Sequence, residues 1–75
     1  MHIKADDHVA WKWGFGIAEG TVASVHPEPT TISSKGKLIK RNGSVDNPAL
    51  IIKHKSGNDV IKLCSEVQKT NKHDD

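Results

Sequence analysis

Residues 7–26 read Asp-His-Val-Ala-Trp-Lys-Trp-Gly-Phe-Gly-Ile-Ala-Glu-Gly-Thr-Val-Ala-Ser-Val-His, and this segment carries the strongest β-strand signal of the chain. Its first half carries large apolar side chains at Val9, Trp11 and Trp13, with smaller or polar residues between them. In an extended chain successive side chains point to opposite faces, so this spacing places all three on one face of a β-strand.

The second half of the stretch predicts a turn and a longer strand. The segment Gly14-Phe15-Gly16 is typical of a tight turn that needs positive φ. A strand is expected to follow from residue 17 to residue 25. Val22 and Val25 are three residues apart, which a straight strand would place on opposite faces. We therefore expect Gly20 to mark a β-bulge or a sharp bend.

A second hairpin is predicted at residues 30–41, after the Pro-Glu-Pro segment at 27–29 ends the first one. Lys35-Gly36 occupies the position of a two-residue turn, which would set Ile32 opposite Ile39. Polar residues occupy much of both faces of this hairpin. We expect it to be an appendage to the rest of the fold.

Two more strands are predicted at residues 49–55 and 60–64, joined by a polar turn at 56–59. A short helical turn is expected at residues 65–67. Alternation within these strands and the first one predicts a single apolar layer. Its expected members are Val9, Trp11, Leu50, Ile52, Ile61 and Leu63.

A length of 75 residues allows one small domain. We expect a flexible lead-in at 1–6, a barrel at 7–67 and a disordered charged tail at 68–75. Cys64 is the single cysteine, so no disulfide within the chain supports the core, and a lone thiol is typical of a reducing compartment. The sequence shows no apolar leader or membrane span, and we expect a cytoplasmic protein.

Several short strands at regular spacing predict a small antiparallel barrel. Beyond this pattern, the chain resembles the hypervirulence-associated Tudor-like domain family. The similarity is carried by the residues at 7–14, 19–26, 40–44, 46–50 and 60–66. Its most specific part is Lys-Arg-Asn-Gly-Ser followed by Asn-Pro-Ala-Leu, whereas Cys64 departs from the histidine expected there.

The resemblance implies an SH3-like or Tudor-like fold and implies no enzyme activity. Together with the strand pattern, it predicts an all-β protein: a small antiparallel barrel of about five strands with an extra basic β-hairpin. The histidines match no zinc spacing, and no nucleophile has a recognisable motif around it. We expect no metal, no cofactor and no catalytic residue.

Positive charge is concentrated in one short segment, although the formal net charge of the chain is only +2. Residues 35–41 contain four cations and no acid. These cations, the turn amides that follow and the exposed aromatic rings predict an anion-binding surface. The candidate ligand-binding residues are Trp13, Phe15, Lys35, Lys37, Lys40, Arg41, Asn42, Gly43, Ser44 and Asn47. A solvated, lysine-rich hairpin without a ligand is the alternative interpretation.

The aromatic residues, Trp11, Trp13 and Phe15, allow two interpretations. Tudor-type barrels can use such rings as a cage for a methylated cation. Small barrels also need their largest side chains for the core, and we expect at least one tryptophan to be buried. The absence of tyrosine from the sequence counts against a complete cage.

These features predict a non-enzymatic binding module, monomeric and away from membranes, that contacts an anionic partner such as nucleic acid. A protein-interaction module is the alternative. It would take an acidic or methylated peptide, or pair a strand edge with a partner chain. A nucleotide or dinucleotide binder is a third hypothesis, which no glycine-rich phosphate motif supports.

Overall fold

The structure is a computed structural model that describes residues 3–70. It contains seven β-strands and one short 3-10 helix. The strands are β1 His8–Trp13, β2 Gly16–His26, β3 Pro29–Ser34, β4 Lys37–Asn42, β5 Ala49–His54, β6 Asp59–Leu63 and β7 Gln68–Lys69, and the 3-10 helix is Cys64–Glu66.

Five antiparallel strands form the main sheet in the order β6-β5-β2-β1-β7, and β3 pairs with β4 as a separate two-stranded sheet. This arrangement confirms the predicted all-β fold of about five antiparallel strands with an extra hairpin. Within residues 3–70, β6 and β7 are the edges of the main sheet, so its strand order does not form the closed ring of a complete barrel.

The first hairpin forms as predicted. Trp13 pairs with Gly16, and the two residues between them make the turn. Gly14 has a φ of 55°, a conformation that glycine adopts without steric cost. The positive φ therefore occurs at Gly14, and Gly16 begins β2.

Gly20 has a different role from the predicted bulge. A Cβ built on it would lie 2.6 Å from both Ile52 Cγ2 and the carbonyl oxygen of Lys53. Gly20 is thus required where β2 and β5 approach closely, because no side chain fits between them.

The bulge lies three residues further along β2. The register with β5 shifts between Val22 and Ser24, so Ala23 is the additional residue. A bulge reverses the alternation of the residues after it. Val22 is consequently fully buried while Val25 also packs against the core, which a regular strand would prevent.

The second hairpin has the predicted register. Ile32 pairs with Ile39, and the turn residues Lys35 and Gly36 have φ values of 52° and 78°. Two positive φ values are typical of the type I′ turn that matches the twist of a two-residue hairpin. The ladder begins at Pro29, one residue earlier than predicted, at the first strand position that proline tolerates.

The core combines the N-terminal segment with the first hairpin, β5 and the C-terminal segment. Buried side chains from these elements form one cluster: Ile3, Val9, Trp11, Val22, Leu50, Ile52, Cys64 and Val67. The predicted helical turn follows β6 and brings Cys64 and Val67 into this cluster.

Two of the six predicted core residues lie outside that cluster. Val60 packs against it, so alternation along β6 turns Ile61 to the other face of the strand. Ile61 is only 2% exposed but sits opposite Ile51 on the side of the second hairpin. Leu63 shares that face and is half-buried. The prediction of a single layer was wrong because β6 buries side chains on both faces.

The predicted lead-in at 1–6 is packed into the fold over the part that the structure describes. Ile3 is 7% exposed and belongs to the core cluster. The amide of Asp6 donates to the carbonyl oxygen of Val22 at 2.8 Å, and the Val22 amide donates to the carbonyl oxygen of Asp7 at 2.9 Å. The segment is therefore attached by backbone hydrogen bonds that its sequence did not indicate. Residues 1 and 2 lie outside the described part.

The predicted disordered tail at 68–75 begins with a strand. Gln68 and Lys69 pair with Ala10 and Val9 of β1, and the amide of Thr70 donates to the His8 carbonyl oxygen at 2.9 Å. Pairing at a sheet edge uses backbone N–H and C=O groups, so it needs no apolar side chain. The lack of apolar residues after residue 67 therefore did not rule out a strand there. The remaining predicted tail, residues 71–75, lies outside the described residues.

Candidate functional site

A groove of about 380 Å³ lies between the end of the first hairpin, β6 and the second hairpin. The turn after β3 and the turn between β5 and β6 both contribute to its wall, through Lys35, Ser56 and Asn58. A hydrogen bond of 3.0 Å from Ser34 Oγ to the Asp59 carbonyl oxygen joins β3 to β6 there. The groove-lining residues that bear on binding are Trp13, Lys35, Arg41, His54, Asp59 and Lys62.

The two tryptophans of β1 have different roles although they lie on the same face of the strand. Trp11 is 6% exposed and belongs to the core, as expected for at least one tryptophan. Trp13 is 72% exposed at the groove, where its cross-strand partner Gly16 offers no side chain to cover it. Of the two, Trp13 is the ring that a ligand can reach.

His54 forms part of the groove wall. Its ring centroid lies 6.1 Å from that of Trp11, with the ring planes tilted by 60°. The Ser56 amide donates to His54 Nδ1 at 3.1 Å, which assigns the proton of the neutral ring to Nε2. The imidazole is thus held in one orientation by its own turn.

Three cations line the groove: Lys35, Arg41 and Lys62. The lining also includes one carboxylate, Asp59, whose Oδ1 lies 3.6 Å from Lys53 Nζ. The residues that line the groove therefore carry an excess of positive charge.

Arg41 is held in place by Glu66. Its Nε donates to Glu66 Oε1 at 3.2 Å, and the same oxygen accepts the Leu63 amide at 2.7 Å. Partial burial alone would raise the pKa of the Glu66 carboxyl, but the Leu63 amide and Arg41 together lower it. A second guanidinium N–H donates to the Lys40 carbonyl oxygen at 3.2 Å. The remaining N–H groups of a fixed guanidinium suit a planar or anionic ligand.

The structure brings together three of the predicted site residues: Trp13, Lys35 and Arg41. The side chains of β4 alternate between the two faces of the strand. Ile39 and Arg41 are half-buried on the groove side, whereas the predicted site residues Lys40 and Asn42 are exposed on the outer face. Lys37 is exposed near the turn of the second hairpin and does not line the groove.

Phe15 also lies outside the groove. It is fully exposed at the tip of the first hairpin, between the exposed side chains of Trp13 and Ile17. The predicted site is therefore divided into a groove, an outer hairpin face and a hairpin tip.

The predicted loop residues Gly43, Ser44 and Asn47 are engaged in the structure of the loop itself. The Gly43 amide donates to the Arg41 carbonyl oxygen, and the Ser44 amide to that of Asn47, both at 3.1 Å. A Cβ on Gly43 would lie 2.7 Å from three backbone atoms. These two amides already donate within the protein, so an anion at the groove depends on side chains.

Asn47 connects this loop to the 3-10 helix. Its Oδ1 accepts the Ser65 amide at 2.9 Å, and its Nδ2 donates to Ser65 Oγ at 3.0 Å. Because both the oxygen and the nitrogen of its amide are hydrogen-bonded, the Asn47 side chain stabilises the loop. Its sequence context, a polar turn before a proline, indicated the turn and gave no sign of the distant partner.

Sequence reasoning missed His54, Asp59 and Lys62, which come from β5 and β6. Each is an ordinary polar residue at a strand end or on a strand, and no local motif singles it out. Their place in the groove follows from where the second hairpin packs.

Other kinds of site find little support within residues 3–70. That range contains no group of three or more histidine, cysteine or acidic side chains able to hold a metal ion. None of its helices combines the length and apolar character needed to span a bilayer. The buried thiol of Cys64 belongs to the core cluster.

Comparisons with known proteins extend these observations. A search of curated proteins and a search of solved structures found no significant match to this chain. The family model for the Tudor domain of hypervirulence associated proteins matches residues 6–67, which include β1 to β6 and the 3-10 helix. The chain therefore belongs to the family of hypervirulence associated proteins Tudor domains.

Proposed function

We propose that this protein is a non-enzymatic binding module whose groove receives nucleic acid. The observation that carries the proposal is the exposed ring of Trp13 in a groove that contains Lys35, Arg41 and Lys62. Its one lining carboxylate, Asp59, already lies beside Lys53. An accessible aromatic face and surrounding cations suit a ligand that combines flat bases with phosphates.

The first experiment measures the binding of a fluorescent oligonucleotide by anisotropy at increasing salt. Each phosphate that a lysine or arginine neutralises releases counterions, so affinity should fall steeply with salt. For a single strand, the slope of log K against log salt should be about −0.7 per phosphate contacted. No detectable binding at low salt would reject the proposal.

A matched pair of variants tests whether the groove is the site. Lys35→Gln and Lys40→Gln remove the same charge from the same hairpin, but Lys35 lines the groove and Lys40 lies on the outer face. We expect Lys35→Gln to weaken binding and to reduce the salt slope by the contribution of about one phosphate. Lys40→Gln should bind nearly as the wild type does, and equal losses in both variants would contradict the proposed site.

A methylated-peptide cage is the weaker alternative on the observed geometry. A cage encloses a cation with several rings. Trp13 is the one strongly exposed aromatic ring of the groove, since Trp11 is buried and Phe15 lies outside. The lining cations would also repel a methylated lysine. Titration with a lysine-methylated peptide distinguishes the two, because its binding in preference to the oligonucleotide would favour the cage.

Strand-edge pairing with a partner peptide is a further alternative, and parts of the β1 and β6 edges are already engaged within the described residues. The β1 edge is occupied by β7 at Val9 and Ala10. At the β6 edge, Ser34 Oγ donates to the Asp59 carbonyl oxygen and Glu66 Oε1 accepts the Leu63 amide. Edge pairing would also depend weakly on salt, which separates it from nucleic-acid binding.

An acidic peptide would share the salt dependence of nucleic acid, and a free dinucleotide would share its chemistry. The titration therefore includes a glutamate-rich peptide and a dinucleotide at matched ionic strength. Binding of either in place of the oligonucleotide would overturn the proposal.

A further inference from the structure

We infer that the groove selects single-stranded nucleic acid, with one base stacked on Trp13 and the adjoining phosphates on Lys35 and Arg41. This inference rests on the proposed function and specifies which form of nucleic acid the site accepts.

The ring of Trp13 is accessible to a flat ligand. Trp13 is 72% exposed, and its cross-strand partner is Gly16, which has no side chain to cover the ring, so a flat group can approach its face. In a duplex both faces of each base are covered by stacking, and exposing one costs a few kcal/mol per step. A single strand offers base faces without that cost, and stacking on an aromatic side chain favours binding of every base.

The hairpin tip is unsuited to reading a duplex. A two-stranded β-ribbon can enter the major groove, where polar side chains hydrogen-bond to base edges. Residues 13–17 read Trp-Gly-Phe-Gly-Ile, and the indole N–H of Trp13 is the single side-chain hydrogen-bond donor among them. Exposed Phe15 and Ile17 would face phosphates and base edges without a hydrogen bond to offer.

The groove dimensions and cation positions fit a short strand. A volume of about 380 Å³ is of the size that takes a small ligand. Arg41, held by Glu66 at 3.2 Å, and Lys35, on a turn with φ of 52°, line the groove together with Trp13. A base on the ring would therefore place its backbone among these cations, and one or two nucleotides would fill the site.

The test compares three probes of equal length: a single-stranded oligothymidine, the same strand carrying abasic sites throughout, and a duplex. The abasic strand keeps every phosphate and removes every base. Because stacking contributes about 1–3 kcal/mol per base, the intact strand should bind about 5- to 150-fold more tightly than the abasic one. The duplex should bind more weakly than the intact strand.

The variant Trp13→Ala should remove the difference between intact and abasic strands, and Trp13→Phe should restore part of it. Trp13 is exposed, so the fold should tolerate both changes, and circular dichroism verifies this. Phe15→Ala should have a smaller effect, because Phe15 lies outside the groove.

The outcomes separate the inference from the proposed function. Salt-sensitive binding that is equal for the intact strand, the abasic strand and the duplex would overturn the inference and leave the proposed function standing. Absence of binding by all three probes at low salt would overturn both. A preference for the intact strand that survives Trp13→Ala would place the stacking surface elsewhere and also overturn the inference.

Discussion

Gly20 in β2 packs directly against Ile52 in β5, so closely that a Cβ on the glycine would lie 2.6 Å from Ile52 Cγ2. Such a separation is far inside van der Waals contact. The same Cβ would also meet the Lys53 carbonyl oxygen at 2.6 Å. The packing of β2, the central strand of the sheet, against its neighbour β5 therefore depends on the absence of a side chain at this one position.

We predict that Gly20→Ala destabilises the protein by about 1–3 kcal/mol, because a well-packed interior accommodates an added methyl group only by strain. Urea unfolding followed by circular dichroism measures the loss. Net stability of a domain this small rarely exceeds about 3–5 kcal/mol, so the effect should be large in relative terms.

Gly16→Ala is the matched control for this prediction. The Cβ of this variant would be 3.9 Å from its nearest neighbour, the Trp13 carbonyl oxygen, and Gly16 is not among the positive-φ residues. Its stability should stay within about 0.5 kcal/mol of the wild type. Equal losses in the two variants would show that crowding at Gly20 is not the cause.

A second prediction concerns acid stability and Glu66. The pKa of its carboxyl is lowered in the folded protein from a usual value of 4.5. A lowered folded pKa contributes stability above the unfolded pKa and loses it as pH falls through the folded value. Wild type should therefore exceed Glu66→Gln in stability near neutral pH, and the difference should shrink below about pH 4.5.

The difference should be modest, at most about 1 kcal/mol, because the Arg41–Glu66 pair is partly exposed and screened by solvent. Unfolding by urea at a series of pH values measures it. The pKa of Asp7 is also lowered, by the Lys4 amide and Lys69 against the effect of burial, and its contribution cancels because both proteins contain it. A difference that grows toward acid pH would have the wrong sign and would contradict the assignment.

A third prediction compares the contributions of Asn47 and Asn42 to stability. Asn47→Ala should cost about 1–2 kcal/mol, because it removes two hydrogen bonds to Ser65, of 2.9 and 3.0 Å. Asn42 is exposed at the end of β4, and Asn42→Ala should change stability by no more than about 0.5 kcal/mol. Thermal unfolding compares them directly. A larger loss for Asn42→Ala than for Asn47→Ala would contradict the structural role given to Asn47.

A fourth prediction tests the N-terminal attachment. Ile3 is 7% exposed, and Ile3→Ala should destabilise the protein by about 2–3 kcal/mol. Where that variant fails to fold, Ile3→Val should still cost about 0.5–1.5 kcal/mol. Val45→Ala, at a residue 84% exposed, is the control and should be nearly neutral. Wild-type stability in both Ile3 variants would mean that the segment does not pack as described.

Local patterns were sufficient for most of the fold. Alternation around Val9 and Trp11 predicted β1, and turn chemistry at Lys35-Gly36 predicted both the second hairpin and its register, which the pairing of Ile32 with Ile39 confirms. These features depend on neighbours within a few residues, where backbone sterics and period-two burial act directly.

Local sequence patterns did not predict burial or strand pairing where the partner is a distant segment of the chain. Ile3 enters the core and β7 pairs with β1 without a local signal, because their partners lie many residues away. The face of β6 that meets the core cluster was predicted wrongly for the same reason, since Val60 packs against the cluster while Ile61 lines the groove with Ile39 of the second hairpin.

The candidate site shows the same division. Local residue patterns are enough to predict an all-β fold with a basic second hairpin, because strand period and turn residues act locally. The exposure of Trp13, the burial of Trp11, and the position of Lys35 and Arg41 in the groove while Lys40 faces away depend on how the elements pack. Which side of a hairpin meets the rest of the protein is a matter of packing between distant elements, and no local pattern specifies it.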